Sequence, residues 1–265
     1  MIKKCILCGK NYEVKRICNF RTSKLCSREC RIEYYLIRYN KSGDFTKRFK
    51  YRQGKIIRAT MNLDNKQWQM CAGTLLGDAS MDTTCTGSCN LRFQHCEKQL
   101  DYLEWKKTII NNFIVREKPT ICNPTGFSKK KSYLYQTVTH QDFTNFNNLF
   151  YIKKGKKREK IINPKILERL DIFGVLIWYL DDGCVAPSAK GRSAIRIHTN
   201  NFYKKEQKLL VNFFKHKYNI TPKIYYLKSQ DNYILSIGAN DSEKLMKLFK
   251  PFLSQVPQCM HYKFF

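Results

Sequence analysis

Two carboxylates and four thiols are the residues whose setting points to chemistry. Asp78 closes the apolar stretch 70–81, MCAGTLLGDASM, and Asp182 closes a second one, 173–185, FGVLIWYLDDGCV. Both stretches read as buried helices. The C-terminal end of a helix is a poor place for a negative charge, because the helix dipole is negative there. The placement makes sense if the carboxylate holds a cation; the plain alternative is a turn aspartate. In the first stretch Ala72, Gly73 and Gly77 put small residues at helical spacing. Glycine inside a helix costs about 1 kcal/mol against alanine. Two of them imply a gain elsewhere, and close approach of another backbone is the usual one.

The thiols lie near the N-terminus. Cys5 and Cys8 form a Cys-x-x-Cys knuckle, and Cys26 and Cys30 stand four apart at the start of a helical run, RECRIEYYLIRYN. A spacing of four puts both sulfurs on one helix face. Four converging thiolates make a closed tetrahedral Zn²⁺ site, which is structural because no position stays open for substrate. Such a site can hold together a piece too small to fold on its own core. Cys18 falls between the pairs as a spare. Cys85, Cys89 and Cys96 with His95 offer a second set of ligand types, but they fall in a strand and its preceding loop.

The whole chain must position these groups. It has 265 residues, 43% of them hydrophobic, enough for a real core. Twelve cysteines in a chain without a recognisable secretion signal argue against a disulfide framework. No apolar run is long enough to span a bilayer, and the opening MIKKCILCGK has no signal-peptide core. The expectation is a cytoplasmic, nuclear or organelle-matrix protein. Lys and Arg number 49 against 21 Asp and Glu, a formal charge of +28 spread along the chain. That excess favours a polyanion, and nucleic acid over membrane, since no basic amphipathic anchor helix is present.

Read in order, residues 1–40 form the four-cysteine unit and 41–66 a basic, glycine-containing linker suited to tracking phosphates or to simple spacing. After the first apolar helix, 91–96 alternates like a strand, 100–115 reads as an amphipathic helix, 131–140 as a strand and 143–151 as a helix. The run 153–160, KKGKKREK, reads as a basic loop. The second half repeats this grammar. Asp182 follows Asp78 by 104 positions, and the strand 195–200 follows 91–96 by the same offset. Lys204 to Tyr218 reads as an amphipathic helix. The strand 232–237 and the helix 245–249 follow 133–138 and 146–150 by 99. One unit is therefore duplicated, over 67–165 and 166–265. Two copies in a basic chain suit a pseudo-palindromic duplex, with one carboxylate facing each strand. Asp and Glu oxygens are the hard ligands Mg²⁺ prefers, and a metal held there can activate water and stabilise a leaving 3′-oxygen.

At these residues the sequence resembles the LAGLIDADG homing endonucleases of the single-chain, two-motif kind. Residues 71–79, CAGTLLGDA, are similar to the first motif, and 175–183, VLIWYLDDG, to the second in its W-x-x-DDG variant. The likeness runs from about residue 64 to the C-terminus and includes IRIHTNNFYKKEQKLL and PFLSQVPQCMHYKF. The N-terminal unit resembles a treble-clef zinc finger. The resemblance implies an α+β fold of two pseudo-symmetric αββαββα halves, packed through the motif helices, with antiparallel sheets forming a saddle over DNA. It implies Asp78 and Asp182 as Mg²⁺ ligands, with Asp181 the runner-up. It implies a basic residue near each scissile phosphate, Lys263 in the second half and Lys160 or Lys157 in the first. Gln94 and His198 take the places of water-organising side chains on the strand after each motif, or are ordinary sheet residues. The implied activity is a staggered double-strand cut in DNA by a monomer, encoded in an intron or other mobile element of a bacterial, phage or organelle host. An intron-RNA-binding maturase and a cleavage-dead DNA-binding regulator are the alternatives. Three departures from the motif stand out. Ala79 replaces the motif's closing glycine, Ile177 stands where the first helix has Gly73, and Asp181 where it has Gly77. The helix pair is therefore expected to pack asymmetrically.

Overall fold

The computed structural model describes residues 2–14, 23–31, 33–34, 61–124, 130–155, 157–187, 192–228 and 231–265. The chain divides into two compact units, Met1–Ile57 and Arg58–Phe265. In the first, β1 (Ile2–Lys4) and β2 (Asn11–Glu13) pair antiparallel. Between them Gly9 takes a φ of 73°, a left-handed geometry open to glycine at little cost. A helical segment starts at residue 28, just after Cys26. Cys18, the far end of that run and most of the basic linker lie outside the described residues.

The second unit is built twice from one plan. The first half runs α1 (Asn65–Leu76), β3 (Ser80–Thr83), β4 (Cys89–Cys96), α2 (Leu100–Ile109), β5 (Thr120–Cys122), β6 (Ser132–Gln136) and α3 (Gln141–Phe150). A hairpin of β7 (Tyr151–Lys154) and β8 (Lys157–Lys160) and a short helix α4 (Pro164–Arg169) follow. The second half runs α5 (Ile172–Asp182), β9 (Gly183–Pro187), β10 (Ser193–Ile197), α6 (Lys204–Tyr218), β11 (Lys223–Leu227), β12 (Asn232–Ile237) and α7 (Ala239–Phe249). It ends in two 3₁₀ turns, Lys250–Gln255 and Gln258–Lys263. The two four-stranded sheets have orders β3-β4-β6-β5 and β9-β10-β12-β11. Every pairing is antiparallel, and the same order recurs in each half. This is the α+β, pseudo-symmetric architecture anticipated from the motifs.

Two expectations need correction. The helix expected over 100–115 stops at Ile109 and gives way to a 3₁₀ turn, Asn111–Phe113. Asn111 and Asn112 compete for backbone groups through their amides, which disfavours further helix. The basic run 153–160 is a strand pair rather than a loop, with Lys154 opposite Lys157. Gly155 makes the reversal with a φ of 61°, and both of those lysines are exposed, so like charge does not prevent pairing.

Strand alternation supplies the core. Along β4, Leu91, Phe93 and His95 are buried, while Gln94 and Cys96 are exposed. Phe113, Phe143, Phe146 and Phe150 line the inner side of the first half; Ile195, Ile197, Phe214, Leu245 and Phe249 do so in the second.

The halves join along α1 and α5. Asp64 caps α1 by accepting from the Gln67 amide at 2.8 Å, while Gln67 Oε1 accepts from the Asp64 amide, a capping box. Asp171 caps α5 by accepting from the Phe173 and Gly174 amides. Gln69 of α1 reaches across, accepting from Asp171 N and donating to Arg169 O, both at 2.9 Å. At the crossing, a Cβ on Gly73 would lie 2.2 Å from Gly174 O and 2.8 Å from Ile177 Cβ. A Cβ on Gly77 would lie 2.6 Å from Asp181 Cβ. Ile177 and Asp181 thus fill the space the glycines leave, and the packing is asymmetric. Gly73→Ala gains about 1 kcal/mol in helix propensity but meets a backbone oxygen that cannot swing away. A net loss of about 1–3 kcal/mol, typical of overpacking, is expected in urea unfolding; unchanged or higher stability would contradict the close approach.

Candidate functional site

The paired helices end side by side. Asp78 lies one residue beyond Gly77, the C-cap of α1, and Asp182 is the last residue of α5. The last carbonyls of a helix have no partner within it, and here two lysines supply one. Lys160, at the end of β8, donates from Nζ to Gly77 O at 3.1 Å and Ala79 O at 3.0 Å. Lys263, at the end of the final 3₁₀ turn, donates to Leu180 O at 2.5 Å and Asp181 O at 3.2 Å. Each half thus places one ammonium at the negative end of one motif helix. Burial lowers the proton affinity of both lysines, and the three nearby aspartates oppose that shift. Lys157 is exposed beside the hairpin reversal and makes neither of these contacts.

The aspartates repel one another. Burial and then the Asp181 charge push the Asp78 carboxyl up to about 6, against the pull of Lys106, Lys263 and Lys160. Burial, then Asp78 and Asp181, push Asp182 up to about 8. Two hard oxygen donors in a site whose lone pairs are short of positive charge fit a divalent cation. The sheet register places the polar partners. His198 N donates to Asp182 O at 3.0 Å. In the first half, extending the Ser80↔Arg92 register sets Gln94 opposite Asp78. Gln94 is exposed and its amide donates to Ser132 Oγ. His198 Nε2 lies 3.8 Å from Cys184 Sγ. The six residues expected from sequence, Asp78, Asp182, Lys160, Lys263, Gln94 and His198, therefore fall at the two helix ends or on the strands directly across from them.

Asp181 behaves differently from its neighbour. Its side chain is wholly buried, and both its oxygens are occupied. Oδ1 accepts from Tyr102 OH at 2.7 Å and Lys106 Nζ at 3.0 Å, and Oδ2 from Thr74 Oγ1 at 2.6 Å. Burial pushes this carboxyl up, but Lys106, His95, Thr74 and Tyr102 together hold it below its ordinary value. One oxygen of Asp78, one ring nitrogen of His95 and one oxygen of Asp181 lie within 4.8 Å of each other. A cation there would have to displace Lys106 from Asp181. Lys106, Tyr102, Thr74 and His95 were not singled out from sequence as part of this site. The available signal was the 104-residue offset, which pairs Asp181 with Gly77 and Lys106 with Leu210. A lysine at a core position of an amphipathic helix calls for a buried anion.

In the N-terminal unit, Cys5, Cys8, Cys26 and Cys30 each offer a sulfur within 4.8 Å of the others. Cys8 and Cys26 sulfurs are 3.4 Å apart, and Cys26 and Cys30 sulfurs 3.6 Å. Four thiols this close match the donor set of a structural Zn²⁺. Cys85, Cys89 and Cys96 with His95 do not converge. His95 and Cys89 are buried, whereas Cys85 and Cys96 are exposed.

The chain is similar to known proteins in sequence and fold. The LAGLIDADG DNA endonuclease family matches residues 68–245. A probable intron-encoded DNA endonuclease 3 of Mycosarcoma maydis is 30% identical over 50% of this chain and 93% of its own length. A cytochrome b mRNA maturase bI2 of Debaryomyces hansenii is 27% identical over 80% of this chain and 78% of its own. The homing endonuclease I-WcaI, solved bound to its DNA recognition sequence, has the same fold: TM-score 0.66, 23% identity, 77% of this chain and 88% of that one. The family match covers more than half of the chain and agrees with the motif helices and the sheet order; the chain belongs to the LAGLIDADG DNA endonuclease family.

Proposed function

We infer that the protein is a homing endonuclease that makes a staggered double-strand cut in DNA with Mg²⁺. One observation carries this reading. Each half delivers one carboxylate at the end of its motif helix and one lysine bonded to the carbonyls of that helix end. A bound Mg²⁺ would supply Lewis acidity and acidify a coordinated water. Asp78 and Asp182 would hold it, using charge that the ion-free site can scarcely tolerate. Lys160 and Lys263 would neutralise the phosphate oxygens as charge builds at the scissile bond. Gln94 and His198, across from the carboxylates, would hold the attacking water by hydrogen bonds. With one such set per half, each strand of a pseudo-palindromic duplex is cut once by a monomer.

The four-cysteine unit, residues 1–40, is read as an accessory Zn²⁺ finger. The linker, 41–66, leads from it to the two halves, 67–165 and 166–265. The formal charge of +28 would draw all of them to the phosphate backbone. Among the described residues no helix is long and apolar enough to cross a membrane.

The maturase reading draws on the Debaryomyces hansenii relative. It predicts that Asp78→Asn leaves intron splicing intact, whereas the nuclease reading predicts loss of cutting.

Three outcomes test the nuclease. The substrate is a plasmid carrying the joined sequences that flank the reading frame. Asp78→Asn and Asp182→Asn should each abolish its double-strand cleavage in Mg²⁺ while leaving binding within a few-fold. Normal cutting of both strands by either variant would remove that residue from the assignment.

The second outcome is a dependence on pH. A carboxyl with a raised folded-state value binds its proton more tightly folded than unfolded. The ion-free fold therefore loses stability as pH rises from the ordinary 3.8 through about 6 for Asp78 and about 8 for Asp182, and levels off above. Saturating Mg²⁺ should raise Tm more at about pH 8.5 than at about pH 5.5, since protons compete with the ion. Asp182→Asn should raise the ion-free Tm at the higher pH.

Third, Cys5→Ser with Cys8→Ser should cost the full chain one equivalent of zinc by elemental analysis and weaken plasmid binding. Unchanged zinc content would remove the finger.

A further inference from the structure

The helix pair carries a charge with no counterpart in the other half. Asp181 belongs to α5, but its side chain crosses to the first half. It enters the space left by Gly77, where a Cβ would lie 2.6 Å from Asp181 Cβ and 3.2 Å from its Oδ2. There Thr74, Tyr102 and Lys106 satisfy it. Lys106 also donates to Thr74 Oγ1 at 3.0 Å and lies 4.5 Å from the centre of the Tyr102 ring. Side chains of Lys106 and Asp181 are both wholly buried. The duplication offset shows that this is not a shared feature. It sets Gly77 against Asp181, Thr74 against Trp178, Tyr102 against Glu206 and Lys106 against Leu210. Glu206 bonds instead to the Ile162 and Tyr203 amides, and Leu210 is ordinary core.

His95 connects this network to the site. Its ring packs 4.9 Å from that of Tyr102. Nε2 lies 3.8 Å from Asp181 Oδ1 and Nδ1 lies 3.8 Å from Asp78 Oδ2. Among the described residues Nε2 has no hydrogen-bond partner although it is buried. The imidazole is thus wedged between a fixed carboxylate and a freer one, whose side chain is 43% exposed. The corresponding residue of the second half is Thr199, whose hydroxyl donates to Tyr233 O and faces no such pair.

We propose that Lys106, Asp181 and His95 are positioning residues for Asp78, so that the two centres, and hence the two strand cuts, are mechanistically inequivalent. The ion pair fixes Asp181 against Gly77. Tyr102, itself held by its bond to Asp181, packs against the ring of His95 and fixes it, and the ring limits where the Asp78 carboxylate can sit. Among the described residues nothing equivalent stands behind Asp182. The proposal rests on the nuclease reading given above.

Strand-resolved nicking tests it, with the same plasmid site as a duplex end-labelled on one strand or the other. His95→Gln and Lys106→Met should each slow one strand cut at least tenfold and leave the other within threefold. The slowed strand should be the same one in both variants, because both act on the Asp78 carboxylate through one network. Asp181→Asn added to Lys106→Met keeps one acceptor oxygen for Tyr102, offers an amide N–H to Thr74 Oγ1 once Lys106 no longer donates to it, and removes the stranded buried charge. It should recover Tm without recovering the slow strand. A purely architectural network predicts the reverse: both strands slow together in the single variants and recover together with Tm. Equal slowing of both strands, opposite strand bias in the two single variants, or joint recovery overturns the proposal. His95→Gln removes no ion pair, so it decides the question even if Lys106→Met does not fold. Wild-type protein that cuts neither strand overturns the nuclease reading itself; wild-type cutting with equally slowed variants overturns the positioning proposal alone.

Discussion

The approach of two helix backbones at Gly73 and Gly77 is the constraint on which the other features depend. With the next backbone so near, α1 and α5 must end at nearly the same place. Their C-terminal carbonyls, their dipoles and the aspartates that follow are then crowded into one small region. Like partial charges meeting like formal charges is unfavourable. The fold offsets it with three ammonium groups, Lys160 and Lys263 on the terminal carbonyls and Lys106 on Asp181. Even so, Asp78 and Asp182 retain raised proton affinity. The site is electrostatically incomplete by construction, a common condition of functional sites.

The three aspartates show how environment divides one residue type into two roles. Asp181 has four donor contacts and no solvent, so it is a fixed anion inside the core. A buried ion pair is weak evidence for stability, since replacing both partners with apolar groups is often neutral or better. Its attested use is to specify one arrangement over others. Here it suits that use, because only one face of the interface carries it. Among the described residues Asp78 and Asp182 have no such set of donors. Adjacent positions in the DDG sequence therefore have opposite fates, decided by which side of α5 each faces.

Much of this was legible in the sequence. The repeat offset of 104 anticipated both motif helices and the equivalence of β4 with β10, because burial alternates with a period that duplication preserves. Lys160 and Lys263 were reachable through the family resemblance, which implies a basic residue after the last helix of each half. The asymmetry at Gly77 and Asp181 was visible as a departure from the repeat. What filled it was not, because Lys106 and Tyr102 lie on another helix and only tertiary packing brings them to Asp181. The hairpin of β7 and β8 was hidden for a different reason. A run of lysines on an exposed strand has no apolar face, so it lacks the alternation by which strands are recognised.

The two terminal lysines carry the argument about duplication further. Lys160 arrives on a strand and Lys263 on a 3₁₀ turn, so the local scaffolds have diverged. Yet each ammonium bonds two successive or near-successive carbonyls at the end of its helix. Shared ancestry of the backbone cannot account for this, because the backbones differ. The requirement must lie in the position itself: a positive charge held at the negative end of each helix, near the group of aspartates. Orphan carbonyls are a strong, directional acceptor for it, and they hold the ammonium where burial alone would expel it. The helix end thus anchors the cation that limits the rise in proton affinity caused by burial and the neighbouring aspartates.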